Sequence, residues 1–143
     1  MLHNILLGDS NGSLLTFHQG LLLQAGYRVA VAQDMREAET QLRLAPFSLV
    51  IAELALPEEA SADALNLIRR VATLRPGTPI LVLTSNTSPA LHREARSMGV
   101  WDISVKPTPW AELLSLTKNI LDANYPESLG CQGRSRAATT AGE

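Results

Sequence analysis

Short apolar runs alternate five times with segments in which apolar residues recur every three or four positions. Ile5-Leu6-Leu7 is the first run and gives way to the turn formers Gly8-Asp9-Ser10-Asn11-Gly12. Leu14, Phe17, His18, Leu21, Leu22 and Ala25 then share one face at helical spacing, with Gly26 placed to stop the helix. Residues 27–32 predict a second strand, and Asp34 with Glu37 is a capping-box start for a helix buried through Ala38, Leu42 and Ala45. Residues 48–53 predict the third strand, and Ser61 is the expected cap of a helix facing inward at Leu65, Ile68 and Val71. Residues 79–84 predict the fourth strand; Ser88-Pro89 opens a helix with Leu91, Ala95 and Met98 inward, closed by Gly99. Residues 101–105 predict the fifth strand, and Thr108-Pro109 opens the last helix, through Leu113, Leu114, Thr117, Ile120 and Leu121.

Strands that are apolar along most of their length, each followed by a helix, imply an α/β fold with a parallel sheet covered on both faces. Ligands of such sheets bind beyond the carboxyl ends of the strands. Asp9, Glu53, Thr84 and Lys106 all fall at predicted strand ends. Residues 1–123 are expected to form one domain. From 124 to 143 the composition turns to Gly, Ser, Ala, Thr and Arg, which predicts a flexible tail or linker stub with no effector domain of its own.

The 143 residues suffice for one substantial core, and a net charge of -2 gives no broad electrostatic case for nucleic acid or an anionic membrane. Arginines dominate the scattered basic residues, with Lys106 and Lys118 the only lysines. Cys131 is the single cysteine, so no intrachain disulfide forms and a reducing cytoplasm is the expected setting. No leader pattern opens the chain, and no apolar run approaches the roughly 20 residues that span a bilayer. His3, His18 and His92 lack metal-ligand spacing, and His18 is expected to be a packed core residue.

Asp9-Ser10, Glu53-Leu54-Ala55-Leu56-Pro57, the Ile80 run ending Thr84-Ser85, and Ile103-Ser104-Val105-Lys106-Pro107 together resemble the phosphorylation pocket of the receiver domain of two-component response regulators. The resemblance covers roughly residues 3–122. It implies a CheY-like, flavodoxin-like (βα)5 fold with strand order 2-1-3-4-5. It also implies an acid pair after the first strand, where this chain has Asp9 and Ser10, and a phosphoacceptor aspartate, where it has Glu53. Thr84 and Lys106 match the family's hydroxyl and lysine, and Pro107 the proline after that lysine. Ile103 stands where the family carries a switch aromatic, and Asp9, Glu53 and Ala55 mark a Mg²⁺ site that is expected to be weak or lost.

Receiver phosphorylation is carboxylate attack on a phosphoryl group, helped by Mg²⁺, and it depends on positioning and electrostatics. Ser10 removes a charged metal ligand, and Glu53 moves its carboxylate outward by about one C–C bond, where a shift of about 1 Å can cost about 100-fold in rate. The expectation is a pseudo-receiver that signals without phosphorylation, through protein–protein contact. The alternative is a receiver still switched by phosphate on Glu53 with Mg²⁺, or locked active because Glu53 imitates an acyl phosphate against Lys106. Ile103 favours a retired pocket over the mimic, since the family switch couples the hydroxyl to rotation of a ring. Lys106 is equally explained as an ion-pair partner for buried acids, and Thr84 as a strand-end hydroxyl.

Trp101 and Trp110 either cover the edge of the core or anchor an interface. In the resembled family the helix 4–strand 5–helix 5 surface makes dimer or partner contacts, which makes Trp101 and Ile103 the expected interface residues. That implies a homodimer or a protein partner, whether a histidine kinase, an effector or another regulator, and a setting in phosphorelay signalling or transcription regulation. A remote alternative is an esterase of the GDSL type, because Gly8-Asp9-Ser10 resembles the nucleophile turn of that family. Its Asp-x-x-His partner has no counterpart here: the last histidine is His92, with Pro89 three residues before it. The chain is therefore not expected to be an enzyme.

Overall fold

The computed structural model of the chain describes residues 3–8, 12–54, 58–84, 89–105 and 109–126, with the side chains at 12–16, 53–54 and 58–64 outside that description. Strands and helices alternate: β1 Asn4–Gly8, α1 Gly12–Gln24, β2 Arg28–Ala32, α2 Met35–Leu44, β3 Leu49–Leu54, α3 Glu58–Leu74, β4 Ile80–Thr84, α4 Pro89–Ser97, β5 Asp102–Val105 and α5 Trp110–Asn124. The strands pair in parallel in the order β2-β1-β3-β4-β5, a flavodoxin-like CheY fold.

Side-chain alternation along the strands sorts the core into two layers. Ile5, Leu7, Leu49, Ile51, Leu81 and Leu83 meet Leu22 of α1 and Leu113, Ile120 and Leu121 of α5. Leu6, Val50, Ala52 and Val82 meet Ala38 and Leu42 of α2, Ile68 and Val71 of α3, and Ala95 of α4. The central strands are apolar on both faces because both faces are covered.

Helix ends follow the expected chemistry with local departures. Gly26 and Gly99 adopt φ of +99° and +90° just past α1 and α4, a left-handed conformation that suits glycine. The Asp34 carboxylate accepts from the Glu37 N–H at 2.8 Å, and the Glu37 carboxylate accepts from the Gln33 N–H at 2.7 Å. The reciprocal bond thus reaches one residue further back than a standard capping box. Ser61 lies inside α3 and is not its cap, because the helix begins at Glu58. Phe17, expected to face inward, is 54% exposed. The buried side of α1 is held by His18 and Leu22 instead, so the inward arc is narrower than the apolar positions suggested. Thr108 lies outside the described residues; Pro109 is the cap residue of α5, with no side-chain cap bond.

Two features of the α5 layer carry predictions. Thr117 is fully buried, and its hydroxyl finds no hydrogen-bond partner among the described residues. A buried, unsatisfied hydroxyl is costly, so Thr117→Val, which keeps the shape, is expected to stabilise the domain by about 1 kcal/mol in urea unfolding. A lower midpoint for the variant would show that the hydroxyl is satisfied.

At the amino-terminal edge of the sheet, Tyr125 just beyond α5 donates its hydroxyl to the Ser48 carbonyl at 2.9 Å. The His3 Nδ1 lies 3.0 Å from the Ser48 hydroxyl, and the His3 and Tyr125 rings are 5.2 Å apart. Burial and, after it, the charged amino terminus hold the His3 imidazole below its ordinary value of 6.5, with Asp122 pulling the other way. As pH falls, the unfolded chain therefore takes up this proton before the folded one does. The associated stability is fully present above pH 6.5 and drains away as pH falls towards the lowered folded value. Unfolding midpoints measured from about pH 8 down to about pH 5 are expected to drop less for His3→Gln than for wild type. Parallel curves would contradict this account.

Candidate functional site

The strand order makes β1 and β3 neighbours, while the chain leaves β1 for β2 on one side and returns to β3 on the other. Such a reversal opens a crevice at the carboxyl ends of the two strands. Register aligns four strand ends there: Gly8 opposite Ala52, Glu53 opposite Leu83, Leu54 opposite Thr84, and Thr84 opposite Val105. Asp9-Ser10 follows directly on β1 and Lys106-Pro107 directly on β5. Asp9, Ser10, Ala55, Lys106 and Pro107 lie outside the described residues, as does the side chain of Glu53. The backbone at Glu53 is the next-to-last position of β3.

Thr84 is the best-defined member of the set. It is fully buried at the end of β4, on the same strand face as Val82 and hence on the α2–α3–α4 side. Val82 pairs with Ile103, which is partly buried and packs on that same core cluster. Ile103 is thus a branched aliphatic wedge beside the Thr84 strand end, with no ring to rotate. Its own N–H donates to the Asp102 carboxylate at 2.8 Å, and Asp102 is 3.8 Å from Arg96 of α4.

At the end of β1, a Cβ added to Gly8 would sit 3.0 Å from Cδ2 of Leu67. A side chain larger than hydrogen at this point would press on α3, so the glycine lets Leu67 close over the strand that leads into Asp9. Sequence reasoning missed this contact, because the glycine reads as part of a turn and not as a packing site.

On the far side of the sheet from β2, Trp101, Val105 and Trp110 are 48%, 44% and 58% exposed. Trp101 sits one residue before β5 and is tied down by its backbone N–H, which donates to the Ile80 carbonyl at 2.8 Å. Each tryptophan thus leaves about half of its surface to solvent. Val105 joins them because it occupies the outer position opposite Thr84 on an edge strand, which strand periodicity alone could not distinguish from a buried one.

Residues 5–118 match the family model described as the response regulator receiver domain. The chain belongs to that family. The receiver resembles a CheY-like receiver domain protein from Methanospirillum hungatei JF-1, with a TM-score of 0.80 at 24% identity over 89% of this chain and 99% of the other. It also resembles a response regulator from Burkholderia pseudomallei, with a TM-score of 0.72 at 27% identity over 89% of this chain and 74% of the other; that structure holds a phosphorylated aspartic acid, a calcium ion and citrate. Among curated proteins it is 30% identical to the transcriptional regulatory protein ZraR of Escherichia coli O157:H7 over 94% of this chain and 32% of that protein. The receiver spans about a third or less of the length of the ZraR relatives it matches. Receiver domains are signalling modules of two-component systems. Among the described residues no helix is long and apolar enough to cross a membrane.

The donor set at the strand ends departs from what a divalent cation requires. Mg²⁺ is held by hard oxygens, mainly carboxylates, in near-octahedral geometry. Here the second acid is Ser10 and the acceptor position carries the longer Glu53, so the site loses one charge and shifts another. Asp9 and Glu53 are the acids left to hold such a cation, a weaker donor set than an adjacent acid pair with an aspartate.

Proposed function

We propose that this receiver is a phosphorylation-independent module of two-component-type signalling that acts by binding protein partners. The observation that carries this reading is Glu53 in the next-to-last position of β3, with Ser10 replacing the second acid of the pocket. The acceptor carboxylate is displaced and its metal weakened together, and both changes lower the phosphotransfer rate. Ile103 supports the same reading, because its packed aliphatic side chain cannot act as an aromatic switch.

The working surface in this reading is the face formed by α4, β5 and α5, where Trp101, Val105 and Trp110 offer exposed apolar anchors. Its partner is another signalling protein, either a histidine kinase, an effector or a second receiver. The naming of the ZraR relatives as transcriptional regulatory proteins makes transcription control in the cytoplasm the proposed setting. In this reading Glu53 is not a phosphoacceptor.

The test is intact mass after incubation with Mg²⁺ and acetyl phosphate. The wild type is expected to remain unmodified. A stoichiometric adduct on Glu53 would make the protein a phosphate-regulated switch and would overturn the proposal.

A further inference from the structure

We propose that His3, Ser48 and Tyr125 form a proton-released clasp that fixes where the chain beyond α5 leaves the sheet, and that opens without unfolding of the domain. The clasp joins three segments remote in sequence: the residue before β1, the residue before β3 and the residue after α5. Pro126 cannot continue a helix, and Tyr125 before it stands outside helical geometry at φ −134° and ψ 64°. Its N–H still donates to the Leu121 carbonyl at 2.8 Å, a final backbone bond to α5. From there the side chains take over. The Tyr125 hydroxyl donates to the Ser48 carbonyl at 2.9 Å, and its ring packs on the α1–α5 core layer. His3, itself buried, closes the group: Nδ1 lies 3.0 Å from the Ser48 hydroxyl, and its ring lies 5.2 Å from that of Tyr125.

This hold is weak beside the rest of the fold. Ser48 and Tyr125 are only partly buried, whereas Ile51 and Leu81 in the central strands are fully buried. Two neutral hydrogen bonds and one ring contact therefore open at lower cost than the core. Residue 126 follows directly on Tyr125, so opening the clasp frees the point from which the following segment continues. The clasp lies at the amino-terminal edge of the sheet, opposite the strand ends that carry Glu53 and Thr84, so it does not depend on phosphate chemistry there.

The groups around His3 decide which way a proton acts. Burial is the largest influence, and the charged amino terminus adds to it; both disfavour the imidazolium. On α5, Asp122 favours it, but Lys118 already pairs with Asp122 at 2.7 Å. Tyr27 and Tyr125 are phenols that burial keeps neutral, with Asp122 adding to the effect at Tyr27. Arg28 of β2 donates its backbone N–H to the His3 carbonyl and keeps its side chain exposed. The closed clasp thus binds a proton less tightly than an open one, and a falling pH favours the open form.

Amide hydrogen exchange of the full chain, followed by NMR from about pH 8 to about pH 5 and normalised for the intrinsic effect of pH, tests this. At about pH 8 the Tyr125 amide is expected to be at least about tenfold less protected than those of Ile51 and Leu81. By about pH 5 it should lose a further factor of about three to about 30. The upper limit is the proton uptake of an imidazole at its ordinary value of 6.5. His3→Gln keeps a polar partner for Ser48 and does not titrate, so its Tyr125 protection should stay flat within about twofold. Tyr125→Phe removes the bond to Ser48 and should lower protection at residue 125 about threefold or more at every pH, in a domain that still melts cooperatively. Wild-type protection at residue 125 that equals the core, or that is flat with pH, would overturn the proposal. So would a pH profile that persists in His3→Gln, or an unchanged residue 125 in Tyr125→Phe.

Discussion

Glu53→Asp combined with Ser10→Asp is expected to make the receiver accumulate a phosphoryl adduct at residue 53 from acetyl phosphate, a gain of about 100-fold or more in rate over wild type. Two defects are repaired separately. Shortening the acceptor returns the carboxylate to the distance set by the β3 backbone, whose register against β4 is fixed by the Glu53–Leu83 and Leu54–Thr84 pairs. Restoring an acid at residue 10 returns the charge that a divalent cation needs. Because metal and acceptor act in one step, each single substitution should recover far less than the pair. The measurement is the time course of intact mass in Mg²⁺ and acetyl phosphate, alongside a thermal melt to confirm folding. A folded double variant without an adduct would mean that the Thr84–Lys106 half of the pocket has also lost its function.

The strand ends were legible in the sequence for a physical reason. Buried parallel strands are near-continuous apolar runs, so a lone polar residue at the end of each run stands out, as Glu53 and Thr84 do. The doubly wound order was not legible from periodicity and came from the family resemblance. Burial on helices was legible where charges mark the outer side. Ala38 and Leu42 of α2 read correctly, because charges at Arg36, Glu37, Glu39 and Arg43 fill the rest of that helix. In α1, with no charge to mark the outer side, Phe17 was indistinguishable from a core residue. Contacts that join remote segments left no signal at all: Tyr125 with Ser48, 77 positions apart, and Gly8 with Leu67 depend on the tertiary arrangement alone.

The largest stability effect is expected at the centre of the sheet. Ile51 is fully buried in β3 and pairs with Leu7 on one side and Leu81 on the other, both fully buried as well. All three face the α1–α5 layer, where Leu113 and Ile120 close over them. A cavity there has rigid walls on the strand side, so little collapse can refill it, and Ile51→Ala is expected to cost about 3–4 kcal/mol. Ile51→Val should cost only about 1 kcal/mol, since one methylene leaves a void too small to empty the site. Leu44→Ala is the control: at 74% exposure its side chain has little burial to lose, and its effect should stay within about 0.5 kcal/mol. Urea unfolding with an unchanged m-value would assign the losses to the native core. An Ile51→Ala variant within about 1 kcal/mol of wild type would mean that the layer relaxes around the cavity. The register of β3 that places Glu53 beside Leu83 would then be held by backbone pairing more than by this core.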